Sequence, residues 1–199
     1  MQSAKDLIVE PIGLEVEGLR RPIVWGEMFG NDHPVELEIG MGKGTFLTDS
    51  AKARPGTNFF GLEYARYYWR YASDRLRRNG CENVRTARAE AGYFVREFLP
   101  EGSLSVVHIY FPDPWPKKRH NKRRLIQPGF LLEMRRVLKA GGRLQIVTDH
   151  AGYFEQIREV VTGSPLKVVE YEAGEVGTNF ERKYLREGRT FQSIAAVRE

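Results

Sequence analysis

A chain of 199 residues, 41% hydrophobic, 29% charged and 12% aromatic, is long enough to bury one apolar core and short for two domains. Twenty glycines, ten prolines and a mean hydropathy of -0.47 exclude a disordered or fibrous chain. The net charge is +5, with 31 Lys and Arg against 26 Asp and Glu.

The apolar stretches fall far short of the roughly 18 residues that a bilayer span needs, so no membrane partner is expected. Met1 to Asp6 lacks the apolar run of a secretion signal, and a single cysteine, Cys81, excludes an internal disulfide. A reducing, cytoplasmic location is the expectation. His33, His108, His120 and His150 are scattered without metal-ligand spacing, so no metal is expected. Six permanent cations crowd into the eight positions from Lys117 to Arg124, and arginines outnumber lysines 22 to 9. Arginine suits phosphate contacts and stacking on bases. An arginine-rich codon usage explains the count equally well, so composition alone decides nothing.

In chain order, Val35–Ile39 reads as a strand ended by a glycine cluster. Lys43 to Ala53 reads as a helix stopped by Pro55-Gly56. Asn58–Leu62 is a second strand, Tyr64 to Asn79 a long helix closing on Gly80. Val84–Ala87 is a short third strand, followed by a helix around Gly92 to Leu99. Leu104 to Phe111 has the continuous apolar character of a central parallel strand. Pro128 to Lys139 reads as a helix ended by Gly141-Gly142, then Arg143–Thr148 as a strand and Tyr153 to Val161 as a helix. Leu166–Tyr171 and Thr190–Val197 read as a closing strand pair.

Five strand-then-helix units and two further strands predict an α/β fold. It is a single Rossmann-like domain on a seven-stranded, mostly parallel sheet with helices on both faces. The domain is expected to span 25–199, with 1–24 as an N-terminal segment. Ligands of such sheets bind beyond the carboxyl ends of the strands, where the strand order reverses.

The first strand runs into Glu38-Ile39-Gly40-Met41-Gly42-Lys43-Gly44. A P-loop needs four residues between its first glycine and Gly-Lys-Ser/Thr, and no placement of these glycines provides them. The dinucleotide pattern G-x-G-x-x-G fails too, because Gly44 arrives one residue early. Gly-x-Gly-x-Gly with an acid two residues before it resembles the S-adenosyl-L-methionine turn of class I methyltransferases. Glu63 ends the second strand, where a carboxylate can accept both ribose hydroxyls of an adenosine. Glu90, after the third strand, is placed to approach the adenine edge. A plain connecting loop accounts for the glycines alone, but not for Glu38 and Glu63 with them.

After the fourth strand comes Phe111-Pro112-Asp113-Pro114-Trp115-Pro116, and then the basic run. Two prolines around Asp113 fix the backbone and deny it helix or ladder hydrogen bonds. Trp115 offers a flat face for a base, and the cations can take phosphates. Each feature alone is more often a loop or a solvated face. Together, at the mouth of the central strand, they suit a site that modifies a nucleobase.

This stretch, with Asn121-Lys122-Arg123-Arg124 after it, resembles the signature of the bacterial tRNA (guanine-N7)-methyltransferases. The likeness runs from about Trp25 to Phe191 and includes Thr148-Asp149 and Thr178-Asn179-Phe180-Glu181. The resemblance implies methyl transfer from S-adenosyl-L-methionine to N7 of a variable-loop guanosine in tRNA. It implies that Glu38, Gly40, Gly42, Gly44, Glu63 and Glu90 hold the cofactor and that Asp113 is the catalytic carboxylate. It likewise implies substrate contacts from Lys117, Asp149, Thr178, Asn179, Phe180 and Glu181, and RNA contacts from Arg119, His120, Asn121, Lys122, Arg123 and Arg124. Glu90 departs from the family, which more commonly has Asp or Asn there.

Three rivals remain in view. Adenine-N6 methyltransferases carry an Asp/Asn-Pro-Pro-aromatic turn, whereas Asp113 is followed by one proline and then Trp115. A silent RNA-binding module would not need the intact glycine turn with Glu63 and Asp113. An NAD-linked oxidoreductase would need other glycine spacing and a substrate domain. Cys81 has no placement for attack on a pyrimidine, which disfavours carbon-5 methylation. The interleaved arginines and aromatics of Tyr64 to Asn79 fit an RNA face or plain amphipathic cover. Monomer and homodimer are equally open.

Overall fold

The computed structural model describes residues 7–171 and 190–199. Its central strand is Val35–Ile39 (β2), with every residue buried. On one side lie Asn58–Glu63 (β3), Val84–Arg88 (β4) and Gly13–Leu14 (β1); on the other lie Leu104–Tyr110 (β5), Leu138–Thr148 (β6), Gln192–Val197 (β8) and Lys167–Val169 (β7). The order is β1-β4-β3-β2-β5-β6-β8-β7. All pairings are parallel up to β6, and β8 runs antiparallel to both β6 and β7. The chain therefore winds outward from β2 through β3 and β4, then restarts at β5 on the other side. The crevice outside the carboxyl ends of β2 and β5 is the switch point.

Alternation along each strand feeds two cores. In β3, Phe60 and Leu62 join the larger core with Phe94, Val95 and Phe98 of Ala91–Phe98 (α4). The same core takes Leu131 and Met134 of Pro128–Val137 (α5), and Tyr153 and Ile157 of Ala151–Thr162 (α6). Phe59 points the other way, to Phe46 and Leu47 of Thr45–Ala53 (α2) and to Trp69, Ala72 and Leu76 of Arg66–Arg78 (α3). A short helix, Trp25–Phe29 (α1), precedes β2. No helix of the described residues is long and apolar enough to cross a membrane.

The expected seven strands become eight. Gly13–Leu14 pairs with Thr86 and Ala87, Ile12 and Ile23 are buried, and the Ile23 amide donates to the Phe98 carbonyl at 2.8 Å. Gly13–Leu14 before Trp25 thus joins the sheet, and Ile12 and Ile23 join its core. Gly141-Gly142 also differs from expectation. Helix α5 ends at Val137, and Leu138, fully buried, already pairs with Leu104. A Cβ on Gly142 would lie 2.8 Å from the Lys139 carbonyl and 3.0 Å from that of Leu104. The register shifts between Leu104 and Val106 at that point, so the glycines serve a bulge inside β6 and not a helix stop.

Candidate active site

Strand β2 ends at Ile39, and Gly40, Gly42 and Gly44 follow with φ of 79°, 51° and 67°. The Gly40 and Met41 amides donate to the Leu62 carbonyl, which lashes the turn to the end of β3. Gly44 caps α2 in the left-handed conformation, and a Cβ there would lie 3.0 Å from that of Ala72. Only glycine both adopts this backbone and lets α2 sit so close to α3.

Two carboxylates share the turn and are treated oppositely. Glu63 accepts from the Gly42 and Ala65 amides, each at 2.9 Å, which fixes its carboxylate in place. Glu38 is 3% exposed, and its Oε2 has no partner among the described residues. Burial, and then the charge of Glu63, push its pKa up to about 8. An orphaned acid on a cavity wall is suited to receive a cation. The sulfonium and ammonium of S-adenosylmethionine supply that charge, so the residues present fit this cofactor. Glu90 lines the same cavity, but its two oxygens accept from the Gly92 and Tyr93 amides, at 2.9 and 2.6 Å, as the N-cap of α4.

At the exit of β5 the backbone is strained. Phe111 and Trp115, neither of them glycine, have φ of 53° and 42° and flank Pro112-Asp113-Pro114. Such conformations persist where the surroundings over-determine them. The Phe111 amide donates to the Val147 carbonyl at 2.7 Å, and Arg124 Nε donates to the Pro114 carbonyl at 2.8 Å. Arg124 also bonds Gln156 and lies 4.8 Å from the centre of the Tyr153 ring. At 7% exposure it is a strut inside the protein. Its Nε holds the Asp113 loop and a second donor holds Gln156 of α6, which sets it apart from the exposed cations it was expected to join on RNA. The rest of the run, Lys118–Arg123, forms a 3-10 helix with exposed Lys118, Arg119, Lys122 and Arg123. Arg123 lies 5.1 Å from the Trp115 ring and His120 meets it edge-on at 5.8 Å, so the face expected to take a base is covered by a cation here.

A cavity of about 1150 Å3 gathers Glu38, Gly40, Gly42, Glu63, Glu90 and Asp113, together with Trp115, Lys122, Arg123 and Arg124. Gly44, Lys117, Arg119, His120, Asn121 and Asp149 do not line it. Asp149 follows β6 directly, beside His150, whose Nδ1 caps α6 by accepting from the Tyr153 amide. Thr178, Asn179, Phe180 and Glu181 lie outside the described residues. Tyr68, among the aromatics for which an RNA face was one reading, lines the cavity too, and reasoning from sequence missed Tyr64, Tyr110, Arg96 and Gln127 on its wall. Tyr64 and Tyr110 had a signal, their places directly after Glu63 and directly before Phe111; Arg96 and Gln127 belong to elements with no motif. Cys81 is buried, and burial pushes its thiol pKa up, as an inert core residue requires.

The doubly wound sheet, the glycine turn at its switch point and the acid at the end of β3 are those of a class I S-adenosylmethionine-dependent methyltransferase. The fold is shared with the solved structure of the 16S rRNA methyltransferase KamB, with a TM-score of 0.67 and 14% identity over 90% of this chain and 100% of that one. Residues 32–193 match the family model Methyltransf_4, described as "Putative methyltransferase". The tRNA (guanine-N(7)-)-methyltransferase of Geobacter metallireducens is 40% identical over 156 residues, 78% of this chain and 74% of the relative. The enzyme of that name from Streptococcus thermophilus is 34% identical over 181 residues, 86% and 84% of the two chains. The chain belongs to this methyltransferase family.

Proposed function

We propose that the protein methylates N7 of a guanosine in tRNA, forming 7-methylguanosine, and that this guanosine lies in the variable loop. The observation that carries the reading is the placement of Asp113. A doubly strained loop, pinned by Arg124, presents this exposed carboxylate to the cavity that also holds the glycine turn.

The bound cofactor supplies an electrophilic methyl group on a sulfonium. Guanine N7 carries an in-plane lone pair and no proton, so no general base is required at the attacking atom. The protein's task is alignment, with negative charge preorganised where positive charge develops on the purine. Asp113 can accept hydrogen bonds from guanine N1–H and the exocyclic amine, donors that become more acidic as N7 is alkylated. That bond strengthens towards the transition state, which is the kind that accelerates chemistry. Glu38 and Glu63 would hold the methyl donor at their end of the cavity, Glu63 through its fixed carboxylate and Glu38 as the cation's counter-charge.

Lys117, Asp149 and the 178–181 segment are assigned to the nucleotide. Arg119, His120, Asn121, Lys122 and Arg123 are assigned to the tRNA, with Arg124 removed from that set. Phosphate contacts from the exposed cations position the RNA, and Asp113 reads the base. Labelled S-adenosylmethionine and unmodified bulk tRNA, incubated with the protein and digested to nucleosides, should place the label in 7-methylguanosine. Label in N6-methyladenosine would overturn the assignment.

A further inference from the structure

Helix α3 buries Trp69, Ala72, Ser73 and Leu76 against the sheet. Its outer side mixes aromatic rings with the charges such a helix ordinarily shows water. Tyr67 and Tyr68 are 46% and 42% exposed, and Tyr64, just before the helix, is 71% exposed. The rings are packed on one another: Tyr67 meets Tyr68 at 5.5 Å and 72°, and Tyr71 at 6.3 Å and 28°. Tyr64 and Tyr68 also line the cavity, so the tyrosines run outward from the active site as one strip. Exposed aromatic clusters of this kind mark interaction surfaces.

Charge names the partner. Five arginines and one acid lie on α3, and the acid, Asp74, is buried between Arg77 and Arg78, which bond it at 2.9 Å each. Arg66 is exposed at the same end as Tyr67. A partner meeting this strip finds flat rings and cations, with no exposed carboxylate from the helix. Flat apolar faces joined by negative charge complement it, and those are the nucleotides of a single-stranded or loop segment. A lipid surface or an acidic protein would share the charge but not the demand for stacked rings.

We infer that Tyr67, with Tyr68 and Tyr71, forms a stacking platform for unpaired nucleotides flanking the methylated guanosine. The inference rests on the tRNA reading above and adds a second RNA surface to it, on another wall of the cavity from the basic run. The platform works by stacking and the basic run by charge, so the two are separable.

The test compares Tyr67→Ala and Tyr67→Phe with the unaltered protein on an unmodified tRNA transcript, since Tyr67 does not itself line the cavity. Tyr67→Ala should raise the tRNA Kd and KM roughly tenfold, in line with the loss of one base–aromatic stack. Cofactor Kd and the salt dependence of tRNA binding should stay as they were. Tyr67→Phe keeps the ring and should retain affinity. A wild-type tRNA Kd for Tyr67→Ala, or an equal loss in Tyr67→Phe, overturns the platform. If the unaltered protein forms 7-methylguanosine and Tyr67→Ala binds normally, the platform alone has failed. If no 7-methylguanosine forms, the functional reading has failed and the platform falls with it.

Discussion

Replacing Glu38 with glutamine removes a carboxyl that ionises only at a cost, and the cost depends on pH. Burial and the neighbouring Glu63 raise its pKa from 4.5 to about 8 in the folded protein. The folded chain therefore keeps a proton that the unfolded chain releases. Its contribution to stability is complete below the unfolded value, is lost as pH rises towards the folded value, and changes no further above it. At about 1.36 kcal/mol per unit, the loss reaches roughly 3 kcal/mol at neutral pH and roughly 5 kcal/mol beyond the folded pKa. Glutamine has no such dependence. Thermal unfolding of the cofactor-free proteins, followed by circular dichroism, should show Glu38→Gln gaining on the parent as the solution becomes more basic. The difference in Tm should widen by roughly 10 °C between about pH 5 and about pH 8, taking some 2–4 °C per kcal/mol for a chain of this size. Saturating S-adenosylmethionine should narrow it, because the cation repays the ionised acid in the parent only. A Tm difference that stays constant across this range would refute the reasoning.

Asp113→Asn should lower kcat by about a hundredfold or more, as expected for a group aimed at developing charge, with cofactor Kd little changed; near-normal kcat under saturating substrates would contradict that role. Arg123→Ala should weaken tRNA binding and reduce the slope of log K against log salt by about 1, measured by filter binding; an unaltered slope would make the residue mere surface. Arg124→Met removes the bond to the Pro114 carbonyl while keeping bulk. It should cost about 2 kcal/mol in denaturant unfolding and lower kcat, with the salt slope unchanged. A lowered slope would restore Arg124 to the RNA surface.

Much of the scaffold was legible because its strands end on residues with backbone meaning. The glycines after β2 and the acid closing β3 announced both the switch point and its ligand class. The prolines around Asp113 announced a rigid loop, and the left-handed Phe111 and Trp115 sharpen that reading. What stayed hidden was set by distant contacts. Nothing within a run of like charges marks the one cation that turns inward, because Arg124 is chosen by Gln156 and Tyr153 on α6. Glu90 carries the same letters whether it caps a helix or meets a ligand. Gly141-Gly142 looks like a helix stop until Leu138 is seen opposite Leu104 in the sheet. β1 is only two residues long, too short for any alternation to show.

The nucleophilic atom is the core of the account, and it can be deleted from the substrate. A tRNA transcribed with 7-deazaguanosine in place of guanosine keeps the N1–H and amine that Asp113 would read but has no N7. Incubated with the protein and labelled S-adenosylmethionine, it should bind and receive no methyl group. Label incorporated at the rate of the ordinary transcript would contradict the account.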